Sequence, residues 1–332
     1  MAIHNAAVYL LSSRKKLLNK CLYDFYKNWN YQYEYPVYVH YFGDIYSEKF
    51  IKEINKNISN KIYFFNIKNE LPANLDVKDL FYNKKNLRYV KESFPKSRLD
   101  YLHMCKFASN LNSFGKIGCP NIELKKFDYL MKIDDDSGFL KKINFDLFDV
   151  LNQYPSASGY TWNTFEYTHK ETRVGLWEFY KSYLKKYGYF PKNYLLKNAI
   201  LKNDENLMHK INWSSGNLNV FNIKKIIQKP WNEYQLFVNE SNGIYKNRWG
   251  DIEITSLFLY THFENPIFDF DLRNKELYTN KIESTFSVRA PSTNMNLSMH
   301  NFFPLTIYHY LKFFIKNVSS FFKKKKLNKF KD

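Results

Sequence analysis

The sequence predicts an α/β fold with a mostly parallel central sheet and flanking helices. Three observations predict it. Short apolar runs recur, each long enough for one buried strand. Amphipathic stretches at helical spacing stand between them. Polar and acidic residues follow directly after the runs, where ligands bind at the carboxyl edge of such sheets. Aromatics make up 19% of the 332 residues, far too many for a disordered chain.

Ala6 to Leu11 reads as the first buried strand. Ser12 or Ser13 would cap the next helix, where Leu17, Leu18, Cys21, Leu22 and Phe25 recur on one face. Pro36 to Phe42 is a second strand closed by Gly43-Asp44, and Ile62 to Phe65 a third. Leu99 to Leu111 has helical spacing. It is followed by the strand Phe127 to Ile133, which ends in Asp134-Asp135-Asp136.

In the second half, Ser156 to Tyr160 is extended. Val174 to Tyr187 is a helix carrying Leu176, Trp177, Tyr180 and Leu184 on one face. Trp213 to Phe221 is extended again, Ser241-Asn242-Gly243 turns, and Asn247 to Asp251 leads into an apolar helix. No interdomain linker interrupts this order. It gives one domain over residues 1–304 and an aromatic, basic tail over 305–332.

The acidic triplet is the sharpest chemical signal. Adjacent carboxylates repel, and a divalent cation relieves that repulsion. Hard carboxylate oxygens suit Mg²⁺ or Mn²⁺, which often bridge to a substrate diphosphate. A solvated acidic turn is the plain alternative. Ser12 and Arg14 fall at the same predicted edge, within reach of a nucleotide that such a metal would touch.

Net charge is +18, which attracts anionic partners of several kinds: nucleic acid, acidic lipid or phosphorylated substrate. No zinc finger or aromatic RNA-binding signature accompanies the charge, so nucleic acid is not expected. Cys21, Cys105 and Cys119 are odd in number and widely spaced. They form no metal motif and no evident disulfide framework, and a reducing compartment fits them. Ala6 to Leu11 is too short for a membrane span and a poor signal peptide. The expected location is therefore cytoplasmic or peripheral to a membrane.

Several segments, taken in order, resemble the α-1,2-mannosyltransferases of fungal Golgi type, glycosyltransferase family fifteen. They are Tyr101 to Phe107 (YLHMCKF), Asp128 to Asp136 (DYLMKIDDD), Gly159-Tyr160-Thr161 with Phe165-Glu166-Tyr167 and Leu176-Trp177-Glu178, Ser215 to Val220, and Arg248-Trp249-Gly250-Asp251. The last is the most specific. The likeness covers roughly residues 5 to 275. It implies a GT-A fold, GDP-mannose as donor, Mn²⁺ (or Mg²⁺), a glycan or glycoprotein acceptor, and retention of anomeric configuration. Two departures stand out. The family's proposed nucleophilic glutamate aligns with Asn219, and its metal-binding histidine falls near Glu276 or Leu277.

The resemblance makes Asp134 and Asp136 the expected metal ligands, with His300 as a substitute for the missing histidine. Ser12, Arg14, Asp134 and Tyr101 are expected around the nucleotide, with Lys132 as a further basic helper. Asp251 is the candidate to orient or deprotonate the acceptor hydroxyl, although Gly-Asp before an apolar run is also an ordinary helix start. Asn219 would hydrogen-bond the sugar, and Glu166 is a second carboxylate in a motif region. Arg248, Trp249, Tyr167 and Asn217 would line the sugar site, with core packing as the default for the large aromatics. His103 is expected to face the core. With no carboxylate at Asn219, front-face attack is the favoured route to retention. A catalytically lapsed relative that binds glycans or membranes is the alternative.

Beyond Leu305 the chain becomes aromatic and basic and carries the block Lys323 to Lys326. This suits either a helix lying on an anionic membrane surface or a last helix docked on the domain.

Overall fold

The computed structural model describes residues 3–67, 70–80, 98–109, 124, 126–139, 142–152, 154–161, 164–165, 172–211, 213–214, 216–264, 266–269 and 286–288. The chain divides into compact units over 1–286 and 287–332, and of the second only Ser287 and Val288 are described. The expected boundary at residue 304 and the tail beyond it lie outside the described residues.

Most elements of the first unit arise where the sequence pattern puts them; the helices over Glu48–Asn57 and Tyr194–Lys202 were not anticipated. Strand β1 is Ala6–Leu11, helix α1 Lys15–Phe25, and strand β2 Val37–Phe42. Helix α2, Glu48–Asn57, is capped by the Ser47 hydroxyl, which accepts from the Phe50 amide. Strand β3 is Ile62–Ile67 and helix α3 Arg98–Ser109. Strand β4, Tyr129–Ile133, leads through the acidic triplet into the short strand β5, Ser137–Phe139.

Then come strands β6 (Gly159–Thr161) and β7 (Thr164–Phe165), and helices α4 (Leu176–Tyr187) and α5 (Tyr194–Lys202). Strands β8 (Trp213–Ser214) and β9 (Leu218–Asn222) follow. Helices α6 (Lys229–Ser241), α7 (Gly243–Asn247) and α8 (Asp251–His262) precede strand β10, Ile267–Asp269.

Seven strands form the central sheet in the order β10-β6-β9-β4-β1-β2-β3. All pairs are parallel except those of β9, which runs against both β4 and β6. The expected mostly parallel sheet with flanking helices is what forms. From β1 the chain moves outward to β2 and β3, then crosses back to place β4 on the other side of β1. That reversal opens a crevice at the carboxyl ends of β1 and β4, where ligands bind in open α/β sheets.

Side chains alternate across the sheet, so each face has its own core. Val8, Leu10, Met131, Ile133 and Val220 pack with α1 residues such as Leu22 and Phe25. Ala7, Tyr9, Leu130 and Phe221 pack on the other side with Cys105 and Phe107 of α3 and Ile254 and Phe258 of α8. Helix α8 is buried from Glu253 through Thr261, so it reads as apolar all round rather than amphipathic. None of the helices among the described residues is long and apolar enough to cross a membrane.

Candidate active site

Four pieces of chain converge on the carboxyl edge. They are the loop after β1, the turn after β4, the loop entering β9, and the first turn of α8. The loop entering β9 is fastened to the acidic turn: the Asp134 amide donates to the Asn217 carbonyl at 3.0 Å. Gly216 just before it has φ +75°, a left-handed conformation that favours glycine.

The three carboxylates do not point one way. Asp135 is buried. It accepts from the Ser12 hydroxyl at 2.6 Å and from the Arg14 guanidinium. Asp134 and Asp136 lie on either side of it. Asp134 pairs with Lys132 Nζ at 2.8 Å, and Asp136 with Arg14 at 3.1 Å. The protein thus supplies two cations of its own against three carboxylates, which leaves one negative charge uncompensated. Burial pushes the Asp136 carboxyl above its usual range. Arg14 opposes that, while the neighbouring Asp134 and Asp135 charges add to it. A divalent cation bound by Asp134 and Asp136 would supply the missing positive charge. The donor set is hard oxygen, so the residues present fit such an ion.

Ser12 corrects one expectation. It is not the cap of α1, whose N-cap is Arg14 with no side-chain cap bond. Its hydroxyl, expected near the nucleotide, is already engaged within the protein. It is buried between Asp135 and the Tyr46 hydroxyl, 2.7 Å away, and clamps the middle carboxylate. Burial holds the Tyr46 phenol protonated, with its pKa pushed up to about 12, so it can donate into this chain. Arg14 remains partly open at the edge.

Deeper in the crevice, Lys132, Ser214, Gly216, Asn219, Phe221, Asp251 and Thr255 line one small pocket. Lys132 Nζ also donates to the Gly216 carbonyl at 2.5 Å. Burial works against the Lys132 charge, but the Asp134 and Asp251 carboxylates outweigh it and hold the ammonium above its ordinary pKa. The Ser214 hydroxyl donates to Asn219 Oδ1 at 2.8 Å, which leaves the amide NH₂ to donate toward the pocket.

Asp251 is the first residue of α8, after Gly250 as N-cap. Gly250-Asp251 is thus the helix start that the sequence suggested, with Asp251 one position inside the cap. Burial raises its pKa, with the Lys132 charge working against the rise. A carboxylate in this state is better matched to taking a proton near neutral pH.

The sugar-lining residues fare differently. Trp249 is corrected from a stacking wall to core. It is buried, its indole N–H donates to the Val174 carbonyl at 2.8 Å, and its ring packs 4.6 Å from that of Phe179. Arg248 is also buried, in a left-handed backbone conformation, with its guanidinium 5.0 Å above the Tyr101 ring. That geometry gives Tyr101, which is half-buried, a role in supporting Arg248. Asn217 stays at the edge beside Asp134. Glu166, Tyr167 and His300 lie outside the described residues, as do Glu276 and Leu277. His103 is in the core as expected, with Nδ1 2.9 Å from the Tyr245 hydroxyl.

Sequence reasoning missed Tyr46 and Ser214 altogether, and gave Lys132 only a helper's part. Tyr46 and Ser214 carry no motif of their own. Their roles come from contacts across long chain separations. Among the described residues, the one cluster of three ligand side chains whose ligand atoms lie within 4.8 Å of one another is His4, Asp146 and Asp149, not the acidic triplet. They sit at the amino end of the sheet, opposite the acidic triplet. His4 Nε2 is already paired with Asp149 at 2.6 Å.

The reversal in strand order, the acidic edge and the fastened β9 loop together define a GT-A-like α/β domain. Residues 2–270 match the family described as glycolipid 2-alpha-mannosyltransferase, and the chain belongs to that family. Among similar proteins, the probable mannosyltransferase KTR3 of Saccharomyces cerevisiae is 27% identical over 222 residues, 64% of this chain and 51% of the relative. The probable mannosyltransferase KTR4 of the same yeast is 24% identical over 188 residues, 53% of this chain and 37% of the relative. The chain thus spans about a third to a half of the length of these two relatives.

The fold agrees with solved structures. Yeast Ktr4p gives a TM-score of 0.62 at 19% identity, covering 80% of this chain and 68% of that one. Core-mannan synthase A from Aspergillus fumigatus, in a form with Mn and GDP, gives 0.61 at 17% identity, covering 77% and 70%.

Proposed function

We propose that this chain is a metal-dependent retaining glycosyltransferase that moves mannose from GDP-mannose to a glycan hydroxyl in an α-1,2 linkage. The observation that carries the reading is the acidic turn: Asp134 and Asp136 flank a clamped Asp135, with one negative charge left over. Family membership supports the donor class, and the relative crystallised with Mn and GDP supports the metal and nucleotide.

A divalent ion held by Asp134 and Asp136 would neutralise charge developing on the departing diphosphate. The rest falls to the chain's own residues. The bond from the sugar's anomeric carbon to the diphosphate oxygen breaks. The acceptor oxygen forms its bond to that carbon on the same face, and its proton passes to Asp251. Asn219 is no nucleophile, which favours this front-face course over a covalent sugar–enzyme species. Its amide donates to a sugar hydroxyl.

Asp251→Asn tests the assignment. Asn keeps the size and the polar character of the residue. If Asp251 takes the proton, transfer should fall roughly a hundredfold or more, while melting temperature and nucleotide affinity hold. Full transfer activity in the folded variant would reduce Asp251 to a helix-start residue.

A lapsed relative is the second reading: the resemblance sets Asn219 against the family's glutamate, although the mannosyltransferase relatives do not favour it. Absence of donor turnover with Mn²⁺ across nucleotide sugars would decide for it. The C-terminal tail's docking on an anionic membrane remains a separate proposal. Weaker vesicle binding after removal of residues 306–332, with donor hydrolysis unchanged, would support it.

A further inference from the structure

A buried polar row crosses the sheet beneath Asp251. The register pairs Tyr9 with Lys132, Lys132 with Asn219, and Asn219 with Thr161. Residues directly opposite on neighbouring strands face the same side, so these four side chains stand together on the face covered by α3 and α8. All four are buried. Three have partners: Lys132 and Asn219 as above, and the Thr161 hydroxyl, which donates to the Leu218 carbonyl at 3.3 Å. Tyr9 does not. It is fully buried, its ring packs against Phe107 with centroids 6.4 Å apart, and its hydroxyl has no hydrogen-bond partner among the described residues.

An unpaired buried phenol is costly, and phenylalanine would fill the same space without that cost. Such a group in a polar neighbourhood needs an explanation, and an ordered water is the usual one. The neighbours are suitable. Lys132 gives N–H groups to Asp134 and Gly216 and has a third. Asp251 is an acceptor lining the same pocket as Lys132. The charges of Lys132, Asp251 and Asp134 all act on the Tyr9 hydroxyl, after burial itself, which pushes its pKa upward.

We propose that Tyr9 is a positioning residue: with Lys132 and Asp251 it holds one buried water, and that water fixes the Asp251 carboxylate for the acceptor's proton. The water accepts from Tyr9 Oη and from Lys132 Nζ and donates to Asp251. Three partners are typical of a buried water. The inference rests on the proposed transfer reaction for its catalytic half only.

The test is Tyr9→Phe, compared with wild type by crystallography at high resolution and by steady-state kinetics on the same preparations. The wild-type crystal should show a water within hydrogen-bond distance of Tyr9 Oη, Lys132 Nζ and Asp251, and the variant should lack it. The variant's kcat should fall roughly tenfold with the donor KM unchanged, the size expected for one lost hydrogen bond that matters mainly in the transition state. A wild-type site without that water overturns the proposal. So does a variant with full kcat, whether its melting temperature rises or falls. A wild type that transfers no sugar would instead sink the proposed function, and the crystallographic arm would still decide whether the three groups share a water.

Discussion

Lys132→Met removes the cation that stands between Asp134 and Asp251. Methionine keeps the unbranched stem and most of the volume, so the loss is one of charge and hydrogen bonds. Lys132 is 10% exposed, bonded to Asp134 at 2.8 Å and to the Gly216 carbonyl at 2.5 Å. Breaking a fully buried pair from one side costs about 3–5 kcal/mol. The Asp134 side chain is 35% exposed, so water takes up part of its stranded charge, and about 2 kcal/mol is the better figure. For a chain of this size, each kcal/mol moves the melting temperature by about 2–4 °C, so a fall of about 4–8 °C is expected in thermal denaturation at low salt.

A second consequence follows at Asp251. Lys132 is what opposes the burial that raises its pKa, so the variant's pKa should rise further. Asp251 accepts a proton only when ionised. The acid limb of the transfer rate should therefore move to higher pH. A variant that melts within about 1 °C of wild type would refute the ledger, since one broken partly buried pair should exceed that. An unmoved acid limb would refute the coupling to Asp251.

Two further outcomes concern the frame. Gly243→Ala puts a Cβ into the Trp249 ring, which Phe179 and the Val174 carbonyl hold in place, so overpacking should destabilise the fold by about 1–3 kcal/mol in chemical denaturation. His40, His103 and His262 are each lowered by burial from 6.5 to about 4, so the unfolded chain binds protons that the folded one refuses. The stability they contribute is full above about 6.5 and is lost as pH falls towards about 4. Asp136 and Asp251 are shifted upward and act in the opposite sense. His103→Gln should flatten the decline measured by denaturant titration across that window.

The strands and helices of the first half were legible because their signals are local. Ala6 to Leu11 is an unbroken apolar run, Val37 to Phe42 is interrupted only by His40, and α3 repeats at helical spacing between residues 98 and 109. The acidic turn was legible for the same reason. What stayed hidden depends on pairings between distant segments. Nothing local says that β9 inserts antiparallel between β4 and β6, and so nothing local puts Asn219 beside Lys132. The triplet's division of labour was hidden too, because Ser12 and Arg14 select Asp135 from 120 or more residues away. Trp249 sits inside the motif that most resembles the family, yet its environment is the core. A motif's specificity says which family a chain belongs to, not which of its side chains faces the ligand.

If Asp134 and Asp136 hold a divalent ion together with a nucleotide, each ligand should stabilise the protein only in the other's presence. A thermal-shift titration with GDP, with and without Mn²⁺, on wild type and Asp136→Ala tests this most directly. At a hundredfold excess over Kd a bound ligand adds about 2.7 kcal/mol, a rise of about 5 °C or more in melting temperature. That rise is expected in wild type only when Mn²⁺ and GDP are both present, and should be lost in the folded Asp136→Ala variant. An equal Mn²⁺-dependent rise in the variant, or none in wild type, would contradict this joint binding.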